Sequence, residues 1–237
     1  MLESQSQAQH PEQPGAAHVP DSDTPKPGPT SKKHPILIVV MGVAGTGKTT
    51  LARALEARLD MPYVEGDALH PPANIAKMSA GIPLTDADRE PWLEVIRTTA
   101  EHMAAAQRAD PAYARRPGVL VTCSALRGYY RDILRGTRAP PGLQRPDAGA
   151  DADAERREHL ELPAYFVYIK GDKALLQERI SKREGHYMKP GMLESQLQTL
   201  ESPEGEEGVV VVPLDASTEE QAEIAIRELN ELLPEPL

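Results

Sequence analysis

The chain has a single cysteine, Cys123. That excludes an internal disulfide framework and fits a reducing compartment. Aromatic residues make up only 4% of the chain, so its core has to be aliphatic. No apolar run approaches the ~20 residues that a bilayer span requires, so no membrane association is expected. Basic residues are also short: 26 Lys and Arg against 36 Asp and Glu, a formal net charge of −10. Nucleic acid, which selects basic surfaces, is therefore not an expected partner. The first residues lack a basic start followed by an apolar stretch, and residues 1–30 contain acids but no arginine. Neither a secretory signal nor a mitochondrial presequence is read there, and a cytoplasmic location is expected. There is no internal repeat.

The 237 residues suit one domain or a small pair, and 40% hydrophobic content can build a core. Residues 1–33 are rich in Gln, Pro, Ser and Ala and read as a disordered tail. Residues 34–237 read as the folded domain, interrupted near 136–160 by a Pro-, Gly- and Asp-rich surface insertion. Five apolar stretches read as strands: Ile36–Met41, Met61–Glu65, Val119–Cys123, Tyr165–Ile169 and Val209–Val212. Helical patterns lie at 48–59, 72–79, 86–107, 126–135, 172–183, 188–199 and 218–233. Strands alternating with helices predict a three-layer α/β/α domain around a parallel sheet, with ligands beyond the C-terminal strand ends.

The first of those ends carries Gly42-Val43-Ala44-Gly45-Thr46-Gly47-Lys48-Thr49, followed by Thr50 and a helix. Strand, glycine-rich turn, Lys-Thr and helix are the context of a phosphate-binding P-loop. The glycines let backbone N–H groups approach anionic oxygens, and the helix N-terminus adds donors and dipole. Lys48 is expected at the β- and γ-phosphates, and Thr49 at Mg²⁺. The loop implies ATP and Mg²⁺ but not the phosphoryl acceptor. No apolar strand ends in Asp as a standard Walker B would, so metal binding is expected to lean on Thr49 with Glu65 or Asp67.

The acceptor block runs from Glu65-Gly66-Asp67-Ala68-Leu69-His70-Pro71-Pro72 through Asn74 and Lys77 to Thr85-Asp86-Ala87-Asp88-Arg89-Glu90-Pro91-Trp92. With the P-loop, with Cys123-Ser124-Ala125-Leu126-Arg127, and with Leu193-Glu194-Ser195-Gln196-Leu197, it resembles the gluconokinases, relatives of shikimate kinases. The resemblance runs from about Ile36 to Leu232 outside the insertion. It implies ATP-dependent phosphorylation of D-gluconate to 6-phosphogluconate on a shikimate-kinase-like P-loop fold. It also implies a lid over ATP near Arg179, Lys182 and Arg183, and a homodimer. His186 and Gln196 match positions whose roles stay open.

Residue chemistry supplies the rest. Glu65 and Asp67, two apart at a strand end, can face one side. Asp67 is the expected base for the acceptor hydroxyl, with a helix-capping role as its alternative. Glu65 is the expected partner of a Mg²⁺-bound water. A sugar acid needs cations for its carboxylate, and Arg89, Arg127 and Arg131 are the candidates, with His70 and Lys77 as helpers. Arg127 and Arg131, four apart, would share a helical face. Trp92 and Cys123 read as core. Two other readings compete: a different small-molecule kinase, and a nucleotide-dependent switch acting on a protein partner.

Overall fold

A computed structural model describes residues 33–138, 162–181 and 190–237, all within one compact unit, Lys32–Leu237. The tail, nearly all of the expected insertion, Lys182, Arg183 and His186 lie outside the described residues. The strands are β1 (Ile36–Met41), β2 (Tyr63–Glu65), β3 (Gly118–Cys123), β4 (Ala164–Lys170) and β5 (Val209–Pro213). The helices are α1 (Lys48–Leu59), α2 (Pro72–Ser79), α3 (Asp86–Ala109), α4 (Gly128–Arg135), α5 (Lys173–Ser181), α6 (Pro190–Thr199) and α7 (Thr218–Leu232). A 3₁₀ turn covers Gly66–Leu69.

The five strands form one parallel sheet in the order β2-β3-β1-β4-β5. β1 and β3 are buried along their whole length, as continuous apolar strands covered on both faces should be. The step from β1 to β2 and the later steps cross the sheet in opposite directions. Right-handed crossovers therefore place helices on both faces. α1 packs against α7, and α3 packs against α4. Among the described residues no helix is long and apolar enough to cross a membrane.

Three local rules set the boundaries that matter for the site. Thr85 and Asp88 form a reciprocal capping box that starts α3. Pro91 is the sixth residue of that helix and has no N–H to give the Ala87 carbonyl, yet α3 runs on through it to Ala109. Ala125, after β3, has a left-handed φ of 46°, and α4 starts at Gly128 rather than at Leu126. Gly66 has its own constraint: a Cβ there would lie 1.9 Å from the Thr122 carbonyl oxygen. Only glycine lets the chain leaving β2 press so closely on β3.

Candidate active site

The C-terminal ends of β1, β2 and β3 open on one cleft of about 330 Å³. Its first wall is the P-loop. Gly42, Gly45 and Gly47 have φ of 144°, 83° and 90°, values at which a side chain strains the backbone. Gly47 caps α1 without a side chain, so no capping group competes with an anion for the first-turn amides. Ala44, Gly45, Gly47, Lys48, Thr49 and Thr50 line the cleft. Gly42, Val43 and Thr46 shape the loop from behind: the Thr46 hydroxyl and the Lys48 ammonium donate to the Val43 carbonyl at 2.9 and 3.1 Å.

The opposite wall comes from the acceptor block, with Glu65, Asp67, His70, Met78, Leu84, Arg89 and Trp92 all exposed to the same space. Glu65 is gripped by hydroxyls. It accepts from Thr49 Oγ1 at 2.8 Å, from the Tyr63 hydroxyl at 2.5 Å, and from Thr122. Burial pushes its pKa up, but these donors outweigh burial and hold it below the usual carboxylate range. Asp67 goes the other way. Its surface is open to water, yet the cleft walls strip away much of the surrounding solvent. Desolvation raises its pKa, Lys48 opposes the rise, and Glu65 adds to it. Two carboxylates two residues apart are thus held in different states of readiness for a proton.

Arg89 is 8% exposed and donates to the Leu84 carbonyl at 2.6 Å. His70 stacks on Trp92 with ring centroids 3.9 Å apart. Burial, assisted by the Arg89 charge, pushes the His70 pKa down to about 4. His70 therefore contributes a neutral ring near pH 7, not the helper cation expected from sequence.

Several expected site residues lie elsewhere. Arg131 is 1% exposed, paired with Glu206 (Nε to Oε2, 2.9 Å) and bonded to the Ala125 carbonyl at 2.8 Å. It is a buried brace and not part of the cleft wall. Arg127 is the N-cap of α4, not a residue of its first turn, and pairs with Asp86 at 2.8 Å. Lys77 pairs with Asp88 at 2.6 Å and also stands off the cleft. Arg179 donates to the Leu214 carbonyl at 2.7 Å, which ties α5 to the chain after β5 instead of to the P-loop. Arg183 is outside the described residues. Of the three candidate arginines for a carboxylate, Arg89 is the one that lines the cleft.

Other residues named in the sequence without a site role also meet the cleft or its base. Gln196, on α6, accepts the Ala44 N–H at 2.7 Å and lines the cleft with Ser195 and Ser124. Trp92 is buried at 2% exposure, as a core residue should be, but it is also a wall of the site and donates to the Gly66 carbonyl at 2.7 Å. Cys123 is fully buried, and burial pushes its thiol up to about 12, which fits core and not nucleophile.

Thr49 and Glu65 offer hard oxygens side by side, a donor set that suits Mg²⁺, which takes few protein ligands and fills its sphere with water and phosphate oxygens. Among the described residues no group of three or more His, Cys, Asp and Glu gathers around a common point.

No protein-family model matches the chain. A gluconokinase of Gluconobacter oxydans (strain 621H) is 40% identical over 195 residues, covering 82% of this chain and 89% of its own length. The thermoresistant gluconokinase of Escherichia coli (strain K12) is 35% identical over 184 residues, covering 77% of this chain and 87% of its own. The crystal structure of a gluconokinase from Sinorhizobium meliloti 1021 superposes with a TM-score of 0.63 at 39% identity, covering 85% of this chain and 95% of its own.

Proposed function

Because the chain belongs to the gluconokinase family, we infer that it transfers the γ-phosphoryl group of ATP to D-gluconate, giving 6-phospho-D-gluconate and ADP. The observation that carries this reading is the shared cleft. Lys48 and the P-loop amides line the same space as Asp67, His70 and Arg89, so a nucleotide phosphate and a hydroxylated acid can meet in it.

The chemistry follows from placement. The P-loop amides, the α1 N-terminus and Lys48 hold the β- and γ-phosphates and stabilise charge on the moving group. Arg89 takes the gluconate carboxylate, as the cation available on the acceptor wall. Asp67 accepts the proton of the attacking hydroxyl as its oxygen bonds to the γ-phosphorus. The bond from that phosphorus to the β–γ bridging oxygen breaks, and ADP leaves. The raised pKa of Asp67 makes it the better base of the acidic pair, while Glu65 stays ionised under its three hydroxyl donors. Thr49 and Glu65 would hold Mg²⁺, which when bound neutralises phosphate charge.

The test is Asp67→Asn. Turnover with gluconate should fall by about 100-fold or more, with the KM for ATP changed by less than about threefold. An unchanged turnover would remove Asp67 as the base.

A further inference from the structure

Asn74, on α2, is 2% exposed and enters none of the chemistry above. Its Nδ2 donates to the Asp88 backbone carbonyl at 2.7 Å. That bond fixes which way the amide points, because the amide oxygen would repel a carbonyl. The same Nδ2 lies 3.2 Å from His70 Nδ1. An amide nitrogen carries two protons and no acceptor lone pair, so His70 Nδ1 must be the acceptor. In a neutral imidazole the proton then sits on Nε2.

The ring cannot easily turn over. It lies 16° from the plane of Trp92, and Trp92 is itself anchored to the Gly66 carbonyl. Turning the ring would give up the Asn74 bond or the stack. His70 lines the cleft, and with Nδ1 taken by Asn74 its second ring nitrogen is the one left for a ligand.

We propose that Asn74 is a positioning residue that locks His70 as a neutral Nε2–H donor, which hydrogen-bonds an acceptor oxygen of the sugar acid. The identity of that ligand rests on the gluconokinase reading, but the tautomer does not. Burial and the nearby Arg89 charge both resist a second ring proton, consistent with the geometry. The acid-binding wall then pairs one cation, Arg89, with one directional neutral donor. A cation attracts any anion, including phosphate. A fixed N–H instead favours a ligand with an oxygen in one place, and a ligand lacking that oxygen leaves the donor unpaired.

The experiment uses full-length protein labelled with ¹⁵N-histidine. Proton–nitrogen correlation spectra at pH 7 should show His70 with a bare Nδ1 and a protonated Nε2. A proton on Nδ1, or on both nitrogens, would overturn the proposal. Asn74→Leu should leave His70 as a mixture of both tautomers, and a single Nε2–H form in that variant would show that Asn74 does not set it. His70→Leu should raise the KM for gluconate about 10–100-fold, with the KM for ATP within about twofold. An unchanged gluconate KM would end the role of His70 as donor. Should the wild type phosphorylate no gluconate, the substrate reading falls by itself, and the spectrum still decides the tautomer.

Discussion

Asp67 and Glu65 differ because one is hydrogen-bonded and the other is not comparably supplied, a distinction invisible in their spacing. The two-residue interval showed that both could reach one side of a strand end, and they do. It did not show that Tyr63, Thr49 and Thr122 would converge on Glu65, since Thr122 is contributed by a different strand. His70 is the sharper case. Read as a residue type, it was a helper cation; burial and Arg89 make it neutral. This has a consequence for stability. His70 has a folded pKa of about 4 against an ordinary value of 6.5. Between those values the unfolded chain binds a proton that the folded one refuses. The contribution is complete above pH 6.5 and is lost as pH falls toward 4. Between pH 7 and pH 4.5 the wild type should lose about 2–3 kcal/mol more unfolding free energy than His70→Gln, measured by urea titration. Parallel losses in the two proteins would contradict a buried neutral His70.

At the scale of elements, α4 shows why some site residues could not be read from spacing. Arg127 and Arg131 are four apart, but Arg127 is the cap of the helix and faces Asp86. Arg131 meets Glu206, 75 residues further along the chain, and no local pattern announces that partner. The same loop supplies Glu201, whose carboxylate accepts the Gly128 N–H at 2.6 Å and whose own N–H meets the Leu126 carbonyl at 2.7 Å. These contacts fasten the chain after α6 to the start of α4. Arg131 itself donates to the carbonyl of Ala125, the left-handed residue beside Ser124 of the cleft. Arg131 thus supports the site from behind. Arg131→Ala should cost about 2–3 kcal/mol of stability: half-buried Glu206 keeps Arg135 at 2.9 Å but loses its other arginine, and the Ala125 carbonyl is left without its partner. Glu206→Ala should not add its full cost to that variant, and a double-mutant cycle by chemical denaturation should show a coupling of roughly 1–3 kcal/mol. Simple additivity would mean that the pair is not a brace. The folded fraction of Arg131→Ala should keep a gluconate KM near that of wild type, whereas Arg89→Ala should raise it about 10-fold or more. Equal KM values for these two variants would return Arg131 to the candidates for direct substrate contact.

For the molecule as a whole, the sequence carried the architecture well because each signal was strong and local. The β-branched runs at Ile36–Met41 and Gly118–Cys123 became the two fully buried strands, and the glycine-rich turn became the P-loop between β1 and α1. What it could not carry was strand order, because pairing is set by packing across the sheet and not by neighbours in the chain. The order β2-β3-β1-β4-β5 puts the end of β2, with Glu65 and Asp67, one strand removed from the P-loop, with Thr122 between them. It also brings α6 close enough for Gln196 to meet Ala44, which explains a sequence match that had no role. The claim beneath all of this is that one cleft holds both the nucleotide phosphates and the acid that receives them. Phosphorus NMR of the purified protein with Mg-ATP and D-gluconate tests it directly. The account predicts ADP and a phosphomonoester of gluconate forming in equal amounts, with Lys48→Ala giving neither. ADP with inorganic phosphate and no phosphorylated acid, or no turnover at all by the folded wild type, would contradict it.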